Sequence, residues 1–190
     1  MDNKMKKMIS LTALTLLISS FSSHANEAQI RMGVELGTSK IAVDKDFAIL
    51  KEDFDTDGLS INYVLGYKFA NNVVTEANVA YSSSDILFGT FDSYETYEIK
   101  AMAGYSFDLA TYFKVVPMVG FSHWELETKQ GLFLNPGPEA EEEFSGTDFT
   151  YKVRFEVPVS DLVLLSLSYA NTEAEFGRNE TTQIGILFEF

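Results

Sequence analysis

The chain has 190 residues, a formal net charge of −14, no cysteine, and 46% hydrophobic and 14% aromatic residues. This length suits one ordinary domain, and the apolar content excludes a disordered acidic tail. The negative charge excludes a nucleic-acid-binding protein, which needs a basic surface, and the absence of cysteine excludes disulfides and thiolate chemistry.

Residues 1–25 are predicted to be a cleaved signal peptide. A basic start precedes an apolar run over residues 8–18, and small residues stand at Ser23 and Ala25. This pattern predicts export and cleavage after Ala25. The apolar run is about half as long as the ~20 residues that a membrane-spanning helix needs, so we do not expect an anchor. Residues 26–190 then form a single domain.

Eight segments alternate between apolar and polar residues, which predicts strands with two different faces. In chain order they are residues 28–37, 58–69, 73–83, 94–107, 113–127, 147–159, 162–173 and 181–190. Strands of soluble sheets average about five or six residues, whereas a tilted transmembrane strand needs about 9–11. The length of the segments therefore favours a transmembrane barrel over a soluble sandwich, whose strands alternate in the same way. Pro117 removes a backbone donor, so the fifth strand must begin after it or carry a bulge.

The connections between these segments alternate in length. Short turns are expected at 70–72, 108–112 and 160–161, and longer polar loops at 38–57, 84–93, 128–146 and 174–180. This alternation is typical of a barrel with an even number of strands and both termini on the short-turn side. We therefore predict an all-β fold, an eight-stranded antiparallel up-and-down transmembrane β-barrel. Aromatic residues near both strand ends predict two interfacial girdles, with Tyr94 and Trp124 on the loop side.

Three features carry a resemblance to a known family. A strand follows the predicted signal peptide directly, residues 65–72 leading into 73–81 look like a strand–tight-turn–strand unit, and Gly185, Phe188 and Phe190 are placed like a terminal assembly signal. The chain resembles the small eight-stranded outer-membrane barrels of Gram-negative bacteria, the outer-membrane protein A/X-like group. The resemblance implies location in the outer-membrane bilayer and insertion by the barrel-assembly machinery through the C-terminal strand. It says little about activity.

The polar faces of the predicted strands carry charges of both signs. Because buried charges must be paired, we expect them to form a salt-bridge network that plugs the lumen. The expected members are Arg31, Glu35, Glu76, Glu98, Lys100, Lys152, Arg154, Glu156 and Glu189. Arg31, Glu76, Lys100 and Arg154 lie mid-strand and are expected at its centre. An ion pathway lined by the same charges is the alternative hypothesis.

The predicted long loops are acidic. Asp53, Asp55 and Asp57 precede Gly58 in the pattern that opens a calcium loop, but Val64 stands where the closing Glu should be, so a solvated loop is the simpler interpretation. Glutamates after residue 138 predict either an exposed tip or a surface for a basic partner. Such loops argue against direct binding of lipopolysaccharide phosphates or heparin, unless divalent cations bridge them.

Catalysis is poorly supported by the sequence. His123 is the one histidine in residues 26–190, and its neighbour Ser122 should point to the opposite face of the strand. We predict no enzyme activity, no cofactor and no transition-metal site. The expected protein is a monomer with a structural or surface-interaction role, such as adhesion or envelope integrity. A narrow channel for small solutes is the second hypothesis, and a lipid-modifying enzyme is the third.

Overall fold

A computed structural model describes residues 28–44, 54–84, 93–110, 112–129 and 141–190. Within these residues there are nine strands: β1 Gln29–Val43, β2 Phe54–Lys68, β3 Val73–Ser83, β4 Ser93–Tyr105, β5 Phe107–Ala110, β6 Phe113–Lys129, β7 Glu141–Pro158, β8 Val163–Ala174 and β9 Gly177–Glu189. The described part of the chain contains no helix that is long and apolar enough to cross a bilayer.

The strands form one antiparallel sheet in the order β4-β3-β2-β1-β9-β8-β7-β6-β5, and β4 also pairs with β6, which closes the barrel. The first and last strands meet in full register, and Ile30 and Phe190 exchange backbone hydrogen bonds of 3.0 and 2.9 Å. The four-residue β5 continues the path of β4 along the same partner, β6. Eight positions around the barrel result, and the predicted eight-stranded antiparallel barrel is confirmed. Closure satisfies the strand edges, as a bilayer requires.

Pro117 is accommodated by a break in the neighbouring strand. Its own strand neither begins after Pro117 nor bulges at it, so both sequence expectations were wrong. It lies inside β6, in unbroken register with β7. On the other side, β4 stops pairing with β6 at Gly104 and β5 resumes at Phe107. The backbone N–H of Ser106, within the break, donates to Asn72 O at 2.9 Å, which continues the β3–β4 ladder beyond the Val73–Tyr105 pair. The N–H that Pro117 lacks therefore lies beside a short stretch in which β6 has no ladder pairing with β4 or β5.

The tight turns have local causes. At the β2–β3 turn, Asn72 has φ 64°, and asparagine tolerates this left-handed conformation better than most residues. The turn is closed by Phe69 N–H donating to Val73 O at 2.8 Å. At the β8–β9 turn, Gly177 has φ 131°, a conformation that glycine adopts without steric cost.

The strands extend further at the loop end than the alternation predicted. β1 runs to Val43, β6 runs to Lys129 and β7 begins at Glu141, so much of the expected loops 38–57 and 128–146 is strand. The loop expected over 174–180 is only a turn at 175–176. We name this extension the collar, comprising residues 38–43, 54–58, 93–97, 123–129, 141–148 and 171–182. Its outward face is polar, which is why the sequence pattern looked like loops.

Below the collar, the outward face is apolar. Leu36, Tyr63, Ile99, Phe121 and Ile184 are each more than half exposed, at 52, 57, 61, 64 and 68%. An exposed apolar belt is what a barrel presents to lipid. The aromatic girdle needs one correction, because Tyr94 and Trp124 point into the barrel and are 1% exposed.

Candidate functional site

The lumen contains all nine charged residues that the sequence analysis placed there. Each is buried: Arg31, Glu35, Glu76, Glu98, Lys100, Lys152, Arg154, Glu156 and Glu189. Their ion pairs divide them into two groups. The turn-side cluster contains all of them except Glu98 and Lys100, which form the loop-side cluster. Alternation along each strand explains why these side chains point inward, because successive residues of a strand face opposite ways.

Arg154 on β7 is the centre of the turn-side cluster. Its two terminal nitrogens donate to the two oxygens of Glu76, at 2.5 and 2.8 Å. Its Nε donates to Glu35 Oε1 at 2.9 Å, and Nη1 lies 3.6 Å from Glu156 Oε1. The planar guanidinium suits this geometry, because it presents several donors in a fixed fork. Arg154 therefore joins strands β1 and β3 across the lumen.

Arg31 on β1 completes the arginine pair. Its Nη2 lies 2.6 Å from Glu156 Oε2, and its Nε lies 3.2 Å from Glu189 Oε1. Its Nη1 is 3.9 Å from Glu76 Oε1. Since Glu76 and Glu156 each contact both arginines, the charges form one network rather than separate pairs. Lys68, at 4.0 Å from Glu189, lies at its turn-side end.

Glu35 connects Arg154 to Lys152 and Asn62. Its Oε2 accepts hydrogen bonds from Lys152 Nζ at 2.5 Å and Asn62 Nδ2 at 2.7 Å. A Cβ at Gly185 would meet Glu35 Cγ at 2.6 Å, so only glycine leaves room for this carboxylate. The sequence analysis assigned Gly185 to an assembly signal and missed this packing role. Only the register of β1 on β9, which places Glu35 opposite Gly185, reveals it.

The loop-side cluster is built around Glu98. Its Oε1 accepts from Thr172 Oγ1 at 2.6 Å and Ser122 Oγ at 3.0 Å. Its Oε2 accepts from Asn179 Nδ2 at 2.9 Å and lies 3.1 Å from Lys100 Nζ. This carboxylate thereby links β4 to β6, β8 and β9. The neutral partners were missed from the sequence, because alternation indicates which way a residue points but not what it meets.

A small cavity separates the two clusters. Its volume is about 10 Å³. Its walls are formed by Asn62, Asn78, Ala80, Lys100, Met102, Lys152, Ala170, Thr181 and Gln183. This volume is about the minimum that holds one water molecule. This cavity therefore has room for about one water molecule.

Inside the collar, one part of the lumen is an apolar cluster. The buried residues are Ile41, Val43, Tyr94, Trp124, Leu126 and Phe176. The rings of Trp124 and Phe176 meet edge to face with centroids 4.8 Å apart. Trp124 Nε1 donates to Asp148 Oδ2 at 2.8 Å, which satisfies the indole N–H. We call this group the collar core. It was missed from the sequence because part of it lies in segments expected to be loops.

The outward surface of the collar has two faces with different charge patterns. On one, which we call the acidic face, Glu95, Glu127 and Glu143 lie directly opposite one another across β4, β6 and β7. On the other, Lys40 lies between Asp57 of β2 and Glu180 of β9. Like charges in opposed positions destabilise a sheet, whereas opposite charges stabilise it. The first face therefore places three carboxylates side by side, whereas on the second a lysine lies between two carboxylates.

The structure bears only partly on the calcium hypothesis. Asp53 lies outside the described residues, while Asp55 and Asp57 lie in the extended β2, opposite Ala42 and Lys40. The described residues contain no group of three or more His, Asp or Glu side chains placed to hold a metal ion. Calcium binding stays a prediction, as does cleavage after Ala25, which also lies outside the described residues.

Ser122 and His123 point to opposite faces of β6, as their spacing predicted. Ser122 is buried and donates to Glu98, whereas His123 is exposed and its Nδ1 lies 3.0 Å from Thr147 Oγ1. Phe188 and Phe190 are exposed on the outside of the barrel, with ring centroids 6.3 Å apart. Their role as an assembly signal stays a prediction.

Comparisons with known proteins agree with this architecture. A family model described as the outer membrane protein beta-barrel domain matches residues 10–190. The attachment invasion locus protein Ail of Yersinia pestis, solved with the heparin analogue sucrose octasulfate, shares 16% identity over 86% of this chain and 99% of its own, with a TM-score of 0.60. No curated protein sequence matches the chain.

Two further solved structures have the same fold. Neisserial surface protein A shares 16% identity over 87% of this chain and 100% of its own, with a TM-score of 0.61. The N-terminal β-barrel domain of OprF from Pseudomonas aeruginosa shares 14% identity over 85% of this chain and 97% of its own, with a TM-score of 0.51. At these identities the likeness concerns the fold.

Proposed function

Because the chain belongs to the outer membrane protein beta-barrel domain family, we propose that it is a closed barrel and that its exposed collar carries its function. In this proposal the lumen provides rigidity, and the collar and its loops provide a structural or surface-interaction role. The observation that supports the proposal is the pair of buried, ion-paired clusters inside the barrel, with a cavity of about 10 Å³ between them.

The ion pairs of the lumen support closure. Arg154 contacts Glu35 of β1 at 2.9 Å and Glu76 of β3 at 2.5 Å, so its side chain spans the lumen. An open path past Arg154 would have to break these contacts and replace them with water. The paired arrangement is therefore the favoured one, and a narrow channel for small solutes is the alternative that an electrical measurement tests.

That measurement is single-channel conductance of the refolded barrel in a planar bilayer. The closed barrel is expected to give no discrete steps, and Arg154→Ala is expected to introduce them if it still folds. Arg178→Ala, which changes an exposed arginine in the collar, is the matched control and should remain silent. Discrete steps from the unaltered protein, changed in size by Glu76→Gln, would overturn closure in favour of the channel.

The acidic face supports a surface-interaction role. The carboxylates of the acidic face point outward from β4, β6 and β7. On the inner side of β4 and β6, Tyr94, Trp124 and Leu126 pack in the collar core. A rigid surface of one charge attracts an oppositely charged partner over a Debye length. We therefore propose a basic partner. Ail was solved with a sulfated ligand, whereas the acidic face of this chain is unsuited to a polyanion.

Two triple variants test the partner's charge. Glu95→Gln, Glu127→Gln and Glu143→Gln remove charge from the acidic face. Asp57→Asn, Glu173→Gln and Glu180→Gln remove the same number of charges from other collar positions. Binding of a short polylysine probe to barrel-containing vesicles of neutral lipid should fall strongly in the first triple and weakly in the second, and the difference should shrink in high salt. Equal losses in both would contradict a face-specific site.

A further inference from the structure

The β8–β9 hairpin tip folds over the loop-end mouth of the barrel. The turn consists of Glu175 and Phe176, and the left-handed Gly177 redirects the chain into β9. Phe176 is 1% exposed although it sits at the tip of a hairpin. Its ring packs on Trp124, which belongs to β6. A tip residue that would ordinarily be solvated thus packs in the collar core.

Hydrogen bonds hold the tip in this position. Asp44 N–H donates to Phe176 O at 2.8 Å, which ties the tip to the end of β1. Asp148 Oδ2 on β7 accepts from the backbone N–H of Glu175 at 3.1 Å and from Trp124 Nε1 at 2.8 Å. One carboxylate therefore joins the tip to the ring beneath it, and loss of this carboxylate would release both.

The sequence of β7 makes room for the tryptophan. Gly146 lies opposite Trp124, and a Cβ at this position would meet Trp124 Cζ2 at 2.5 Å. The indole can therefore lie against the strand at Gly146. Gly146, Asp148 and Trp124 are placed by the β6–β7 register alone.

We propose that the hairpin tip is a latched apolar lid, in which Phe176 closes the mouth and Asp148 is the latch. Apolar constrictions stop hydrated ions because water leaves them. The lid is a barrier distinct from the ion clusters, so the lumen is sealed at two levels. The inference rests on the proposed closed lumen. It adds the hairpin tip as a segment that can open and close the mouth.

Thiol accessibility tests the lid. Because the chain has no cysteine, one introduced cysteine reports a single position. Ile41→Cys places the thiol in the collar core, the cluster that contains Phe176. Leu164→Cys places it in a separate buried cluster with Val64 and Leu187. The barrel is inserted in vesicles, its orientation is checked by proteolysis of the loops, and a small cationic methanethiosulfonate is added on the loop side.

In the Ile41→Cys barrel, Phe176→Ala and Asp148→Ala should each speed labelling by about tenfold or more, because local opening controls access to a buried thiol. Phe176→Leu, which keeps an apolar plug, should stay slow. Labelling of Leu164→Cys should not change. Unheated gel mobility, which separates folded from unfolded barrels, confirms that each variant has folded.

Equal labelling rates in the parent and lid variants would overturn the lid. If both are fast, the mouth is open, and if both are slow, another element closes it. Conductance of the parent barrel separates this outcome from failure of the proposed function. A parent that is silent, yet is labelled at the same rate when Phe176 is removed, would contradict the lid and leave the closed lumen standing.

Discussion

Two carboxylates on one strand, Glu98 and Glu95, show how differently the barrel treats the same charge. Glu98 points into the lumen and accepts hydrogen bonds from Thr172, Ser122 and Asn179. Glu95 points outward, where the residue opposite it on β6 is another glutamate. The two residues are three positions apart, so strand alternation alone separates them.

The physical reason is the dielectric on each side of the sheet. In the lumen an unpaired charge is costly, because no bulk water solvates it. On the collar surface, water and salt screen like charges over about 8–10 Å, so they can lie opposite one another at a small cost. Lumen charges are thus expected to control stability and closure, and outer charges to control recognition.

The largest expected effect is that of Arg154→Ala. The substitution leaves Glu35 and Glu76 without their main partner and should lower the free energy of unfolding by about 3–5 kcal/mol. Arg178→Ala, which removes an exposed pair with Glu180, should cost about 0–1 kcal/mol. Urea unfolding in vesicles, followed by fluorescence of Trp124, measures both. Similar small losses in the two variants would show that the lumen network does not dominate stability.

Gly185→Ala is expected to have an intermediate effect. The added Cβ must displace the Glu35 side chain, and overpacking of this kind costs about 1–3 kcal/mol. Phe188→Leu, an outward change in the same strand, is the control for effects on assembly. If Gly185→Ala leaves unfolding unchanged but slows insertion, glycine serves assembly rather than lumen packing, contrary to the structure-based expectation.

Glu127→Gln is expected to have the smallest effect, and of opposite sign. Removing one of three opposed charges on the acidic face should raise stability by about 0.2–1 kcal/mol, because like charges across strands repel. The gain should decline as salt is added. Glu180→Gln, which removes a carboxylate next to Arg178 and Lys40, should give no gain. A comparable gain from Glu180→Gln would mean that the two collar faces do not differ electrostatically.

Alternation along single strands was sufficient to predict much of this protein. It predicted the eight-stranded barrel and the inward direction of Arg31, Glu76 and Arg154, because a side-chain period of two is a local property of extended chain. Together with the terminal residues, the same pattern carried the resemblance to outer-membrane barrels, which the family match confirms.

Register and neighbours were decided only by the tertiary structure. Glu35 and Lys152 are 117 positions apart in the sequence, and their pairing across the lumen depends on barrel closure. The break beside Pro117 depends on the adjacent strand, and the inward position of Trp124 depends on a collar whose outward face meets water rather than lipid. A strand whose outward face is polar resembles a loop in sequence, because polar residues are favoured both at solvent-exposed strand positions and in loops.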